Sequence, residues 1–147
     1  SWQTLENRSN SAVTNSTLAE WDTSAFDDGL YALRLTVIKN DNSIQTAITQ
    51  VTVDNTPPQV HLINPQPGQV FHANGNTTLN FTAEIRDESG VQRVEWYLDG
   101  TLAGRSNQAP YVLVWPARSG EHTLSLKAFD LAGNQTVSSN VNFKVAP

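Results

Sequence analysis

A strand-rich pattern occurs twice in this chain, and the repeat limits the possible folds more than any other feature. The segment GLYALRLTVIKNDNS at 29–43 aligns with GEHTLSLKAFDLAGN at 120–134, at an offset of 120 − 29 = 91 residues. Each copy follows a tryptophan, Trp21 or Trp115, and ends in an alternating run, TAITQVTV or SSNVNFKV. Because an offset of this size is the length of a small domain, the repeat indicates two tandem domains of one design.

Apolar and polar residues alternate along both copies and along the segments between them, as they do in half-buried β strands. The positions predicted to face a core are Tyr31, Leu33, Leu35 and Val37; Leu79, Phe81, Ala83 and Ile85; Val94, Trp96 and Leu98; Leu124, Leu126 and Ala128; and Val141, Phe143 and Val145. The dipeptide Asp99-Gly100 favours a two-residue hairpin. Short strands at a spacing of about 8–12 residues, with no helical period, predict an all-β sandwich.

Two parts of the chain resemble known protein families. The run WDTSAFDDGLYALRLTVIKN, followed by VTVDNTPP at 51–58, resembles the accessory region of bacterial penicillin-binding proteins of the membrane carboxypeptidase/transglycosylase type. The segments VQRVEWYLDGTLAG, APYVLVW and GEHTLSLKAFDLAGN resemble bacterial Ig-like domains, which occur in series along secreted and cell-surface proteins. The second resemblance implies an Ig-like or fibronectin type III-like fold, and the first implies a cell-wall enzyme as the parent protein.

The double proline at Pro57-Pro58 marks the boundary between the two copies. Prolines fix φ and favour extended backbone, so a semi-rigid hinge is expected there. Residues 58–147 carry strand patterns for one complete bacterial Ig-like domain. Residues 1–57 carry only the late strands, so a partial Ig-like or fibronectin-like sandwich is expected. The predicted fold class is therefore all-β, with tandem Ig-like β-sandwiches, the first of them truncated at its N-terminal side.

The composition excludes several classes of function. There is no cysteine, so the chain has no disulfide, thiolate metal site or cysteine nucleophile. The net charge of 9 − 14 = −5 argues against non-specific binding to nucleic acid. A surface rich in Asn, Ser, Thr and Gln suits an extracellular protein. The two resemblances imply an extracytoplasmic bacterial protein, at the cell surface, in the periplasm or secreted. The chain opens at Ser1-Trp2 without a Met or a signal peptide, so a parent polypeptide is expected upstream.

The motifs of a serine transpeptidase are missing from the sequence. Such an enzyme needs an S-x-x-K pair, because the lysine helps to activate a weak serine nucleophile, and neither S-x-x-K nor K-T-G occurs. Ser138-Ser139-Asn140 fits an S-x-N pattern, but so short a match arises by chance in a chain rich in Ser and Asn. No enzyme activity, catalytic residue, cofactor-binding residue or cofactor is therefore expected.

The aromatic residues have structural explanations. Trp96 lies on the third strand pattern of the second domain, where Ig-like folds bury an aromatic residue, and Trp115 lies on an apolar strand face, so both are assigned to the core. Tyr31 lies two residues before Leu33, at the position of a tyrosine corner, and is expected to bond a nearby backbone group. His122 occupies the matching place in the second copy and is expected to brace it in the same way.

Loop carboxylates and isolated histidines are weak signals for metal binding. Four acidic residues lie in predicted loops: Asp87, Glu88, Asp99 and Asp130. Aspartates cap turns by accepting hydrogen bonds from backbone N–H groups, although clustered loop oxygens also suit calcium. Turn capping is the preferred interpretation, because no segment has the regularity of an EF-hand loop. His61 and His72 have no partner at ligand spacing, so no metal site is predicted.

The leading hypothesis is a non-catalytic extracytoplasmic module, a spacer or attachment region of a cell-wall enzyme that resembles a penicillin-binding protein. Its partners would be the parent polypeptide and peptidoglycan or another component of the cell envelope. The alternation in VQRVEWYLDG turns Arg93, Glu95 and Tyr97 outward. The alternative is a module that binds glycan or protein through its loops or through this sheet face around Tyr97, although an exposed aromatic there also suits cross-strand packing. An open strand edge in the first domain predicts self-association, with a second copy or with residues 58–147.

Overall fold

The computed structural model describes residues 2–5, 15–74 and 76–147, and all regular elements in these ranges are strands. They are β1 (Gly29–Ile38), β2 (Ile44–Val53), β3 (Gln59–Asn64), β4 (Gln69–His72), β5 (Thr78–Arg86), β6 (Val91–Leu98), β7 (Thr101–Ser106), β8 (Tyr111–Pro116), β9 (Gly120–Asp130), β10 (Gln135–Val137) and β11 (Val141–Ala146). These ranges hold no helix that is long and apolar enough to cross a membrane. The chain separates into two compact units, Ser1–Asn55 (unit 1) and Thr56–Pro147 (unit 2). The division falls just before Pro57-Pro58.

Unit 1 contains an antiparallel ribbon of β1 and β2. The register runs without interruption from Gly29 opposite Val53 to Ile38 opposite Ile44. A backbone hydrogen bond of 2.9 Å between the first and last residues closes the turn at 39–43. The strands are rich in Ile, Val and Thr, whose branched side chains favour extended backbone, and this composition explains the long, regular pairing.

Three aromatic rings pack edge-on near the start of the ribbon. The ring centroids of Trp21 and Phe26 are 5.0 Å apart. The ring centroid of Tyr31 lies 5.3 Å from that of Trp21 and 5.8 Å from that of Phe26. Aromatic pairs favour such edge contacts. The Tyr31 hydroxyl donates a hydrogen bond of 2.8 Å to the backbone oxygen of Asp27, which is the predicted tyrosine-corner contact. The cluster therefore fixes the chain where it enters β1.

Asn55 gives the VDNTPP motif a structural role within unit 1. Its side-chain amide donates two hydrogen bonds of 2.9 Å, to the backbone oxygens of Thr23 and Phe26. Its backbone N–H donates to Asp28 Oδ1 at 2.6 Å. An asparagine amide carries two donors, and both are used here. These bonds tie the chain after β2 to the loop before β1.

Much of the apolar surface of the ribbon is exposed. Tyr31 and Leu33 are half-buried, whereas Leu35 and Val37 on the same face are exposed. The large apolar side chains of the ribbon with exposed fractions between 44% and 66% are Leu30, Leu35, Val37, Ile38, Ile44 and Ile48. The apolar face of β1 is therefore covered only near its start, because the ribbon is the only sheet in the described part of unit 1.

Unit 2 consists of two sheets that face each other across one core. The larger sheet has the order β4-β11-β9-β6-β7, with β10 also paired to β9, and the smaller sheet has the order β3-β5-β8. The pairing of β11 with β4 is parallel, and the other pairs are antiparallel. This two-layer arrangement confirms the predicted all-β sandwich.

The core of unit 2 lies between the two sheets and consists of the side chains that the alternation predicted. All the predicted inward positions of strands β5, β6, β9 and β11 are buried, together with Tyr111, Leu113 and Trp115 of β8. The rings of Phe81 and Phe143 lie 5.1 Å apart at its centre. Burial of apolar surface is the main force that holds such a sandwich together.

Trp96 occupies the middle of this core and links the two sheets. Its side chain is fully buried. The indole N–H donates to Ser106 Oγ at 3.2 Å, and the Ser106 hydroxyl donates to the backbone oxygen of Val112 at 3.3 Å. The two bonds run from β6 through β7 to β8, so the polar atom of a buried tryptophan is satisfied. The assignment of Trp96 and Trp115 to the core is confirmed.

The turn between β6 and β7 has the two-residue geometry that the dipeptide Asp99-Gly100 predicts. Asp99 and Gly100 have φ values of 50° and 77°, the left-handed pair that a two-residue turn requires. Gly104 lies opposite Trp96 on β7. A Cβ atom at this glycine would lie 2.7 Å from Cδ1 of Leu113, well inside van der Waals contact. The absence of a side chain at position 104 therefore lets β7 approach the core closely.

We expect Gly104→Ala to lower the free energy of unfolding by about 1–2 kcal/mol, because the added methyl group overpacks a closed core. Urea denaturation followed by tryptophan fluorescence measures the change. The neighbouring exposed residue supplies the control, since Ala103→Ser should change stability very little. Equal stability of Gly104→Ala and wild type would show that Leu113 can move aside at no cost.

Candidate functional site

The solvent side of β6, β7 and β9 carries a cluster of charged and aromatic side chains. We name it the Tyr97 face, and it comprises Arg93, Glu95, Tyr97, Arg105, Lys127 and Phe129. Val94, Trp96 and Leu98 point into the core, so their neighbours on β6 point to the other side of the sheet. The strand register places Glu95 directly between Lys127 on β9 and Arg105 on β7.

Glu95 is buried although it lies on the solvent side of the sheet. Its exposed fraction is 8%. Its Oε1 accepts hydrogen bonds from Arg93 Nε at 3.3 Å and from Arg105 Nε at 3.1 Å, and its Oε2 accepts one from the Tyr97 hydroxyl at 2.9 Å. The outward direction predicted for Glu95 is correct, but the side chains of its neighbours cover it. A charge that is removed from water in this way needs such partners.

The three partners stabilise the ionised form of Glu95. The hydrogen bond from the Tyr97 hydroxyl, helped by those from Arg105 and Arg93, holds the pKa of Glu95 below its ordinary value despite burial. The same bond to Glu95 raises the pKa of Tyr97. Near neutral pH the face therefore contains a carboxylate and a neutral phenol.

Acidification should remove the contribution of Glu95 to stability. A group whose folded-state pKa is lowered stabilises the fold above its unfolded-state pKa, and the contribution disappears as the pH falls through the folded-state pKa. We expect Glu95→Gln to be less stable than wild type near neutral pH, with a difference that shrinks below about pH 4. Urea denaturation at several pH values measures it, with Glu84→Gln as the exposed control. A difference that is constant with pH would contradict the ionised Glu95.

The aromatic rings of this face are covered by cations. The guanidinium carbon of Arg93 lies 3.6 Å from the ring centroid of Phe129, and Lys127 Nζ lies 5.2 Å from that of Tyr97. Both distances are within the range of cation–π attraction. The face therefore presents positive groups outward rather than a bare ring on which a sugar could stack.

The sequence predicted Tyr97, Arg93 and Glu95 on this face but not the residues that join them from other strands. Arg105, Lys127 and Phe129 were not singled out, although their outward direction follows from the alternation of β7 and β9. The missing information was the register of the three strands, which depends on pairing between distant segments.

Tyr31 and His122 form equivalent contacts in the two units. His122 Nε2 lies 2.9 Å from the backbone oxygen of Arg118, as the Tyr31 hydroxyl does from that of Asp27 at 2.8 Å. In each case the carbonyl lies four residues upstream, so the two bonded pairs are related by the same offset of 91 residues as the repeat. His122 Nδ1 also lies 2.8 Å from Asp99 Oδ2. These contacts agree with the predicted bracing role of His122.

The loop aspartates accept hydrogen bonds from their own loops. Asp87 Oδ1 accepts from the backbone N–H groups of Ser89 and Gly90, at 3.0 and 2.9 Å. Asp130 is fully buried, and its Oδ1 accepts from the N–H groups of Gly133 and Asn134, at 2.6 and 2.8 Å. These are the turn-capping contacts expected from the sequence. Asp99 Oδ1 likewise accepts from a backbone N–H, that of Thr123 at 2.8 Å, whereas Glu88 is exposed.

Within unit 2 the fold also brings Asp87 and Asp130 together, with a carboxylate oxygen of each within 4.8 Å of the other. The sequence did not predict this approach, because the two loops are far apart along the chain. Carboxylate oxygens that lie this close together are of the kind that a hard cation such as calcium takes as ligands. His61 and His72 are exposed on strands of different sheets.

We expect calcium to leave the melting temperature nearly unchanged, because Asp87 Oδ1 and Asp130 Oδ1 already accept hydrogen bonds from loop amides. Ligand stabilisation follows RT ln(1 + [L]/Kd), so a weak site gives little effect. Thermal denaturation in millimolar calcium and in chelator measures the difference, with magnesium as the comparison. A rise of several degrees that chelator reverses would assign calcium to the Asp87–Asp130 pair.

Comparisons with known proteins agree with the sandwich. Residues 58–126 match the family model described as bacterial Ig domain. The solved fibronectin(III)-like modules of CbhA from Clostridium thermocellum match with 26% identity and a TM-score of 0.54, over 59% of this chain and 94% of that chain. The resemblance to penicillin-binding proteins gains no support from these comparisons.

Curated relatives match over most of this chain but little of their own length. The uncharacterized protein YvnB of Bacillus subtilis is 32% identical over 141 residues, which are 93% of this chain and 10% of YvnB. The dyslexia-associated protein KIAA0319-like protein of Mus musculus is 24% identical over 115 residues, which are 75% of this chain and 11% of that protein. The chain thus spans about a tenth of the length of these relatives. Unit 2 therefore has an Ig-like β-sandwich fold, and its residues 58–126 are similar to bacterial Ig domains.

Proposed function

We propose that the chain is a non-catalytic accessory module, a spacer or attachment region within a longer extracytoplasmic polypeptide. The observation that supports the proposal is the repeat. The chain carries the pattern of a bacterial Ig-like sandwich and, before it, a second copy of the late strands of that pattern. Tandem domains of the same fold lengthen a protein by a similar distance with each repeat. Bacterial Ig domains are commonly extracellular or at the cell surface, and such modules typically lack catalysis.

The parent that we propose is a cell-wall enzyme that resembles a penicillin-binding protein. The support is the run from WDTSAFDDG to VDNTPP, in which Asn55 holds the loop before β1. The gene sequence that encodes the residues before position 1 tests the identity of the parent protein. An S-x-x-K transpeptidase domain and a transglycosylase domain there would support the parent, and a different catalytic domain would overturn it.

A fluorescent β-lactam tests the absence of catalysis. This reagent acylates an activated serine, so we expect no covalent label on the chain, while an authentic penicillin-binding protein in the same assay is labelled. A labelled adduct that disappears when one serine is replaced by alanine would overturn the proposal and identify the nucleophile.

Sedimentation with insoluble peptidoglycan separates a spacer from an attachment region. We expect an attachment region to move to the pellet in proportion to the amount of peptidoglycan, and a spacer to stay in the supernatant. An unrelated acidic β-sandwich protein of similar size serves as the control for trapping. Release of soluble muropeptides during the incubation would contradict a non-catalytic module.

A further inference from the structure

The Tyr97 face carries an excess of positive charge on an acidic chain. Three cations, Arg93, Arg105 and Lys127, surround the single carboxylate of Glu95. The whole chain has a net charge of −5, and only nine of its residues are Lys or Arg. A third of the basic residues thus lie on one patch of one sheet, where Glu95 offsets only one of the three charges.

The cations are spaced across neighbouring strands on the solvent side of one sheet. Lys127 and Arg105 lie on either side of Glu95 in one row across β9, β6 and β7. Adjacent strands are about 4.8 Å apart, so the backbone positions of these two cations are separated by roughly 10 Å. Arg93 lies two residues before Glu95 on the same side of β6. The three positive groups therefore form a triangle around a buried carboxylate.

Donor groups remain available on this triangle. Among the described residues, Arg105 bonds Glu95 through Nε, and its side chain is 59% exposed. A guanidinium carries five N–H donors in a planar fork that fits a carboxylate. The contact with Glu95 also fixes the guanidinium in place, which lowers the entropy lost when an external anion binds.

The chemistry of the face favours an acidic polysaccharide over a neutral glycan or a protein. Neutral sugars stack on bare rings, and here Lys127 and Arg93 cover the rings of Tyr97 and Phe129. A stable protein interface needs a buried apolar or aromatic anchor at its centre, whereas the centre of this face is Glu95 and its cations. A flexible chain with repeated negative groups needs only cations at intervals along an accessible surface.

We propose that the Tyr97 face binds an anionic polysaccharide that carries carboxylate groups, with Arg105 and Lys127 as the outer contacts and Arg93 between them. The inference goes beyond the accessory role and does not depend on the identity of the parent. It gives the module a contact with an acidic matrix through a defined surface.

Isothermal titration of the full chain with oligogalacturonate, a carboxylate-bearing sugar polymer, tests the proposal at low salt. Maltooligosaccharides of equal length are the neutral comparison. The test variant is Arg105→Gln/Lys127→Gln, and the matched control is Arg86→Gln/Lys144→Gln, which removes the same charge elsewhere. Losing two ion contacts with the polymer should weaken binding roughly tenfold in the test variant, and the control should bind within about twofold of wild type.

A variant that exchanges the two cations and keeps their charge separates loss of binding from loss of folding. Arg105→Lys/Lys127→Arg should retain most of the affinity and the wild-type melting temperature, and added salt should weaken wild-type binding. Three results would overturn the proposal: no binding of oligogalacturonate by wild type, an equal loss in the test and control variants, or unchanged binding in the test variant. Tighter binding of polyglycerol phosphate or of polyglutamate would overturn the choice of a carboxylated polysaccharide in favour of a phosphate polymer or an acidic protein.

Discussion

Trp96→Ala should lower the free energy of unfolding by about 3–5 kcal/mol, because it removes a large, fully buried ring that neighbouring side chains cannot replace. It also leaves Ser106 without the indole N–H that it accepts. The loss is comparable to the total stability of many small domains, so a fraction of the variant should be unfolded at room temperature. Guanidinium denaturation followed by circular dichroism measures it, since a main fluorescent reporter is removed.

The adjacent position supplies the control for this substitution. Tyr97 lies on the opposite side of the sheet and is half-buried, so Tyr97→Ala should cost far less than Trp96→Ala. The two variants remove aromatic side chains from consecutive positions of β6 and differ chiefly in the face affected. Equal losses would show that the assignment of the two faces is wrong.

The full chain should self-associate through the ribbon of unit 1. In unit 2, β9 pairs with β6 on one edge and with β10 and β11 on the other. Its repeat partner β1 pairs with β2 alone among the described residues, and β2 has no charged residue and no proline in ten positions. Natural edge strands usually carry charges or prolines that prevent pairing, so this edge is suited to pair with a second copy. Exposed apolar side chains on the ribbon add to the tendency.

Light scattering coupled to size exclusion measures this association. We expect the mass of the full chain to rise with concentration toward that of a dimer, and Ile48→Glu to return it to a monomer. Ile48 lies opposite Arg34, so the new carboxylate gains a cross-strand partner and the ribbon itself should persist. Val114→Glu, at an exposed position of unit 2, is the matched control. A monomer at all concentrations, with fast amide exchange across 29–38, would contradict the proposal.

The core of unit 2 could be predicted from sequence because it depends on a local rule. Successive residues of a strand point to opposite sides, so the alternation in TLNFTAEIRD placed Phe81 inside without any knowledge of the partner strands. The tyrosine-corner contacts were predictable for a similar reason, since Tyr31 and His122 bond carbonyls only four residues away.

The candidate site was less predictable because it depends on contacts between distant segments. The burial of Glu95 results from Arg105, ten residues away on another strand, as well as from its neighbours on β6. The approach of Asp87 to Asp130 joins two loops that are far apart in sequence. Alternation shows which way a side chain points, but the register of paired strands decides what it meets.

The parallel pairing of β4 with β11 also determines how unit 2 bears mechanical load. A pull on the two ends of unit 2 would load β3, which pairs with β5, and then β4 on the entry side, and would load β11 on the exit side. Since β4 and β11 run in the same direction, a pull on the entry and exit sides slides one strand along the other. The hydrogen bonds of this pair then share the force and must break together, rather than opening one after another as in a hairpin pulled from its open end. Pairing of this kind lets unit 2 resist a pull on its two ends while it stays folded.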